Sequence, residues 1–179
     1  MPFPWRPEAL RRIWSGWRSA YLARRVEGDS DDTFVRILES DSPDEETHIV
    51  ARRGTAFAIL NIHPYCAGHL LVLPVRKVRE LSELDSDEAR DLWGTVAEAV
   101  EVLRAEYAPD GLNVGINLGR AAGGSIPGHL HIHVVPRWIG DGNFLAATSD
   151  TKIIPEALDV TADRVRRRWN DVSGTTHPA

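Results

Sequence analysis

Apolar residues recur along this chain with two spacings, every third or fourth position in some stretches and every second in others, which predict helices and strands respectively. Over 85–107, Leu92, Trp93, Val96, Val100, Leu103 and Tyr107 trace one helical stripe. Asp85 and Glu88 fit a capping box at its start, and Pro109-Asp-Gly111 ends it. Over 7–25, Leu10, Ile13, Trp14, Trp17 and Tyr21 recur at the same spacing behind Pro7, with Arg11, Arg12, Arg18, Arg24 and Arg25 on the other faces. A last helix runs from Pro155 to Asn170, with Leu158, Ala162, Val165 and Trp169 inward and Arg164, Arg166, Arg167 and Arg168 largely outward. The apolar island Thr33–Leu38 reads as a short edge strand, followed by a loop at 40–47. His48–Arg53, Thr55–Leu60 and His69–Val75 are strand-like, with a turn at Gly54 and a loop over 61–68. Leu112, Val114, Ile116 and Leu118 alternate with polar or small residues, and His129–Pro136 supplies one more strand. The tail 171–179 reads as frayed.

Composition changes the picture little. The 179 residues, 42% of them hydrophobic, suit one ordinary globular domain with a self-sufficient core. Cys66 is the single cysteine, which excludes an internal disulfide framework and points to a reducing cytoplasm. No stretch approaches a membrane span, and the first residues lack an apolar signal core. Charge is more informative. The net value is −5, yet residues 27–46 hold nine acids and one base, Arg36, so the rest of the chain carries 20 bases against 17 acids. A compact anionic substrate is therefore compatible with the sequence, whereas nothing in it calls for nucleic acid.

The segment His129-Leu-His131-Ile-His133 places three of seven histidines at alternate strand positions, on one face, with Leu130, Ile132 and Val134 on the other. Three core imidazoles would each need a hydrogen-bond partner, so chemistry is the better explanation. Two chemistries fit. A metal could bind alternating imidazoles, although the neighbouring segments offer Asn117 and Ser125 where further ligands would be wanted. Alternatively, a neutral imidazole attacks phosphorus while its other nitrogen is held and adjacent histidines manage protons and charge. The preceding Gly123-Gly-Ser125 favours the second, since small residues let backbone N–H groups close around phosphate oxygens.

His129-Leu-His131-Ile-His133-Val-Val135 resembles the His-x-His-x-His-x-x signature of the histidine-triad (HIT) nucleotide hydrolases and transferases. The likeness extends through Asn61-Ile-His-Pro-Tyr-Cys-Ala-Gly-His69, Gly111–Asn117, Gly123-Gly-Ser125 and Pro136-Arg-Trp138, well over roughly 48–145. The terminal helices are similar to those of bacterial diadenosine-tetraphosphate phosphorylases. The resemblance implies an α+β fold: an antiparallel sheet of about five strands, one long central helix, and additional N- and C-terminal helices. It divides the chain into an N-terminal helical extension (1–26), a HIT domain (27–150) and a C-terminal helix and tail (151–179), packed as one domain.

It also implies an enzyme that cleaves the α-phosphate linkage of adenine dinucleoside polyphosphates through a nucleotidyl-histidine intermediate, with water or inorganic phosphate as acceptor. His131 is then the nucleophile, with His129, His133 and His69 around it. Asn61 would grip ribose, Ile59 and Leu71 would line the base pocket, and Asn117, Gly124 and Ser125 would hold phosphate. Ser125 stands where many relatives have Gln, a departure that points towards phosphorolysis. Trp138 has two readings, a cover for base or leaving nucleotide and a packing residue. The same holds for Asn61, which could bond local backbone instead. Relatives with a structural zinc carry Cys-x-x-Cys where this chain has Asp32-Thr-Phe-Val35, leaving only His48 at a former ligand position, so no structural metal is expected. No cofactor is required, although a divalent cation could accompany a polyphosphate. The resemblance further implies a homodimer or homotetramer. The alternatives are an adenosine phosphoramidate hydrolase, a catalytically inert nucleotide-binding HIT protein, and a metalloenzyme built on the three histidines.

Overall fold

The computed structural model of this chain describes residues 32–122, 126–141 and 156–174. The predicted helix over 7–25, Gly124, Ser125 and the last five residues lie outside them. Five strands form one antiparallel sheet: β1 (Ile49–Arg53), β2 (Ala56–Leu60), β3 (Leu70–Pro74), β4 (Gly111–Ile116) and β5 (Ile132–Arg137), in the order β1-β2-β3-β5-β4. The described helices are α1 (Thr33–Glu39), α2 (Asp44–Thr47), α3 (Ser86–Tyr107) and α4 (Leu158–Gly174), with two 3-10 turns at Leu81–Glu83 and Arg120–Ala122. This is the α+β arrangement that the sequence pattern and the resemblance imply.

Strand periodicity sorts the sheet into two apolar faces. Ala58, Leu60, Leu70, Val72, Ile132 and Val134 meet Leu92, Val96, Ala99 and Leu103 of α3 and Ala162, Val165 and Trp169 of α4. On the opposite face, Ile49, Phe57, Ile59, Leu71 and Leu73 pack with Phe34 of α1. Because both faces are covered, β2 and β3 are buried along their whole length and read as unbroken apolar runs instead of alternations. The face away from α3 and α4 is the one that carries the histidines.

Local chemistry anchors each element. Gly54, at φ 52°, occupies the first central position of the two-residue β1–β2 turn, as a II′ hairpin requires. Thr55 donates its N–H (2.9 Å) and hydroxyl (3.0 Å) to Asp91 Oδ2 on α3, so the turn is tied to the long helix. The capping box forms as the sequence predicts: Asp85 Oδ1 accepts from the N–H groups of Asp87 (2.9 Å) and Glu88 (2.8 Å), and Glu88 Oε2 accepts from the Asp85 N–H (3.0 Å). Arg76 donates to both Glu88 oxygens, at 2.7 and 2.6 Å. α3 ends on Ala108 at φ 42°, just before Pro109. On α4, the buried Trp169 donates its indole N–H to Glu98 Oε2 at 2.8 Å, stitching the two long helices together.

Several elements depart from their sequence reading. Thr33–Leu38 is helix, not an edge strand, and its apolar Phe34, Ile37 and Leu38 fall at i, i+3 and i+4. An island of six residues satisfies either period, and packing of Phe34 onto the sheet decides for helix. The loop at 40–47 includes the single turn α2. Trp93 is half exposed because the buried stripe runs through Leu92, Val96, Ala99 and Leu103, about 100° away. α4 continues to Gly174, and Arg166 turns inward, its Nη2 donating to the carbonyls of Asp44 (3.1 Å) and Ile49 (2.9 Å). The apolar face of β4 is incompletely covered, with Val114 exposed, since β4 is an edge strand.

Candidate active site

Sheet register assembles the site before any side-chain interaction is considered. Ile59 of β2, Leu71 of β3, His133 of β5 and Gly115 of β4 form one row across four strands on the α1 side. One residue beyond β2, the Asn61 N–H donates to the His69 carbonyl at 3.0 Å, so Asn61 and His69 extend the ladder towards that row. His129 and His131 precede β5, which runs over Ile132–Arg137, so the observed strand starts three residues later than the predicted His129–Pro136. The first three residues of the predicted strand leave the ladder because they bond elsewhere. The Leu130 N–H donates to the Val78 carbonyl at 2.7 Å, and the His129 ring reaches Pro74. The three histidines still share one side: Phe34 meets the ring of His129 edge-on at 5.6 Å and that of His131 at 6.0 Å, and His131 lies 5.1 Å from His133.

Hydrogen bonding assigns the proton on each imidazole. The His129 carbonyl lies 2.8 Å from His131 Nδ1, and a carbonyl only accepts, so Nδ1 carries the proton and Nε2 carries the lone pair. In the same way, the Pro74 carbonyl at 2.9 Å places the His129 proton on Nε2. His69 is the reverse case. The Tyr65 N–H donates to His69 Nδ1 at 3.1 Å, with the Asn61 amide nitrogen at 3.4 Å from the same atom, so the His69 proton sits on Nε2. That proton points at His133 Nδ1, 3.0 Å away, which leaves the His133 proton on Nε2. The amide nitrogen of Asn117 stands 3.2 Å from His133 Nε2; since a neutral imidazole cannot accept at both nitrogens, we assign the amide in its flipped orientation, with its oxygen accepting from this N–H.

Burial disfavours the charged form of three of these rings. His69, His129 and His131 are buried, and His133 is partly so. Desolvation pushes His129 and His131 below the ordinary imidazole value, and it pushes His133 down to about 4, with the neighbouring His131 adding to the effect. The cluster can therefore offer a neutral nucleophilic nitrogen at His131 Nε2 beside an N–H donor at His133 Nε2.

Of the residues singled out from the sequence, the structure brings together His69, His129, His131, His133, Asn61, Asn117, Ile59 and Leu71. Trp138 is not among them: it lies just past the far end of β5, edge-on to Tyr107 at 6.5 Å. Two neighbours of the cluster escape the sequence reading. Phe34 falls within the expected edge strand, and its i, i+3, i+4 spacing with Ile37 and Leu38 is the signal for a helix. Tyr65 sits in an aperiodic loop, and only its place between Asn61 and His69 marks it.

Asp32-Thr-Phe-Val35 supplies no sulfur, and its last three residues open α1; among the described residues no three His, Cys, Asp or Glu side chains are grouped as metal ligands. Cys66 donates its thiol to the Pro136 carbonyl at 3.1 Å, away from the ring atoms of the cluster.

The described geometry has clear relatives. Residues 42–138 match the family model described as the HIT domain. AP-4-A phosphorylase of Mycobacterium tuberculosis is 40% identical over 169 residues, covering 90% of this chain and 86% of that protein. The bifunctional bis(5′-adenosyl)-triphosphatase/adenylylsulfatase of Arabidopsis thaliana is 33% identical over 123 residues, covering 66% and 68%. Among solved structures, a hypothetical histidine triad nucleotide-binding protein from Sulfolobus tokodaii superposes with a TM-score of 0.64 at 25% identity, covering 79% of this chain and 93% of its own. With the histidine cluster, the five-stranded sheet and the match over residues 42–138 in agreement, this chain belongs to the HIT domain family.

Proposed function

We propose that this chain is a nucleotidyltransferase acting on adenine dinucleoside polyphosphates, with His131 as nucleophile and inorganic phosphate as acceptor. The observation that carries the reading is the 2.8 Å bond from His131 Nδ1–H to the His129 carbonyl, which dedicates Nε2 to attack. In the first step, Nε2 forms a bond to the α-phosphorus as the bond to the bridging oxygen breaks, and the leaving polyphosphate takes up a proton or stays anionic. In the second, an acceptor oxygen bonds to the same phosphorus, the N–P bond breaks, and the electron pair returns to His131. His133 Nε2–H is the donor nearest this chemistry, and His69 supports it from behind.

Asn61 serves the ribose hydroxyls from a position where its Oδ1 also accepts the His63 N–H at 2.9 Å, and Asn117 serves the phosphates; Ile59 and Leu71, expected to line the base pocket, are instead buried in the core with Phe34. The relative in Mycobacterium tuberculosis is named a phosphorylase, and Gly123-Gly-Ser125 accords with phosphate as second substrate. The exposed Val114 on edge strand β4 supports assembly through that edge, as a homodimer or tetramer in the cytoplasm.

Incubation with diadenosine tetraphosphate, with and without inorganic phosphate, tests this. ADP plus ATP formed only with phosphate supports phosphorolysis, while AMP plus ATP replaces phosphate by water as acceptor. His131→Asn, which keeps the ring volume roughly but removes the nucleophile, is expected to abolish turnover with an unchanged circular dichroism spectrum. Full activity in that variant overturns the mechanism.

A further inference from the structure

The loop between β2 and β3 places an aromatic ring over the histidine pair. Tyr65 lies parallel to His133, with ring centroids 6.2 Å apart and planes 10° from each other, and its ring centroid is 4.6 Å from that of His69. The same residue's backbone N–H donates to His69 Nδ1 at 3.1 Å. The residue is 45% exposed, while His69 beneath it is buried. The backbone contribution and the ring contribution are separable. One sets which nitrogen of His69 is protonated, and the other lies against both rings whose nitrogens make the 3.0 Å contact.

We propose that Tyr65 is a positioning residue for nucleotidyl transfer: it orients and shields the His69–His133 pair so that the His133 Nε2–H, which rests on the Asn117 amide in the free site, turns to the reacting phosphate when substrate binds. The inference rests on the function proposed above but is read independently of it. Without the ring, water competes for His133 Nδ1, the proton distributes over both His133 nitrogens, and the donor is correctly placed only part of the time. Misplacement of one donor by such an amount costs turnover more than ground-state binding.

Long-range 1H–15N NMR of the full chain, which reports imidazole tautomers, decides the first half. The wild-type protein is expected to show His69 and His133 protonated on Nε2 and His131 on Nδ1; His133 protonated on Nδ1 overturns the proposal whatever the enzyme's substrate. For the second half, Tyr65→Ala is expected to lower kcat on diadenosine tetraphosphate about tenfold or more with KM little changed. It should also give mixed His133 tautomer signals. Tyr65→Phe, which keeps ring and N–H, should recover most of the lost turnover, and Tyr65→Leu stands in if the alanine variant does not fold. Unchanged kcat in the alanine or leucine variant, a rise in KM alone, or a kcat loss with unaltered His133 tautomers each overturns it. If wild-type protein cleaves no dinucleoside polyphosphate, the functional reading fails, while the tautomer measurement still decides the positioning.

Discussion

Gly68, immediately before His69, is held at φ 75° and buried between the loop and α3, and replacing it by alanine should damage both stability and chemistry. A Cβ at this position would lie 3.0 Å from Tyr107 Cε2 and 3.1 Å from Leu103 Cδ2, tighter than ordinary van der Waals contact on two sides. An L-residue in the left-handed region costs about 1–2 kcal/mol. Forcing a methyl into packed surroundings costs about 1–3 kcal/mol more. The reduced freedom of the unfolded alanine chain offsets about 0.4–1 kcal/mol. The net loss is about 1–5 kcal/mol, which at a urea m value of about 2 kcal/mol/M lowers the unfolding midpoint by roughly 0.5–2.5 M. Relief of the clash moves the loop outward and carries His69 away from His133, so kcat should fall as well. Gly94 provides the control: it is exposed on α3, and no described atom lies within 4 Å of where an added Cβ would stand. Gly94→Ala should therefore raise stability by about 0.5–1 kcal/mol. Urea titration of both variants checks the reasoning, which is refuted if Gly68→Ala retains the wild-type midpoint or if the two variants shift in the same direction.

The pH dependence of activity should reflect the buried imidazoles. Since burial lowers the pKa values of His131 and His133, the nucleophile stays neutral below pH 6.5, and the acid limb of kcat/KM should lie beneath that ordinary histidine value; a limb above 6.5 contradicts it. Stability follows the same sign. Unfolded histidines take up protons near pH 6.5 while the folded ones resist, so their contribution is complete above 6.5 and drains away as pH falls towards about 4, the value for His133. Urea midpoints at pH 7.5 and 5 should fall in that order, and a higher midpoint at pH 5 sinks the assignment of neutral buried rings. Asp85→Ala removes the acceptor for two helix N–H groups and should cost about 1 kcal/mol by thermal or urea unfolding, with kcat unaffected.

The parts of the molecule legible from sequence are those with one strong local cause. The 85–107 helix announces its cap, stripe and stop in adjacent residues, and Asp85, Glu88 and Pro109 behave as their chemistry dictates. The histidine alternation announces the site because three imidazoles at period 2 have few structural uses. Phe34 is harder, since six residues cannot separate a period of 2 from one of 3.6, and what settles α1 is the sheet face it covers. For His129 the strand pattern is right in spacing but not in bonding, because the carbonyl that draws its ring aside belongs to Pro74, 55 residues earlier. Tyr65 is invisible in the sequence for a related reason. Its role depends on His133, which approaches it only through the β3–β5 pairing.

Those distant partners are largely backbone groups, and this bears on how the site divides its labour. His131 and His133 are two residues apart, similar in side chain and similarly desolvated, yet their protons sit on opposite nitrogens. The difference comes from what each ring meets: a carbonyl, the His129 oxygen, for His131, and the end of a chain that starts at the Tyr65 amide N–H for His133. A carbonyl can only accept and an amide N–H can only donate, so the main chain leaves a lone pair on His131 Nε2 and a proton on His133 Nε2, the division that the proposed mechanism requires. Backbone shifts that keep all four histidine side chains but displace one of them, as Gly68→Ala does to His69, should therefore impair the reaction more than their distance from the phosphate would suggest.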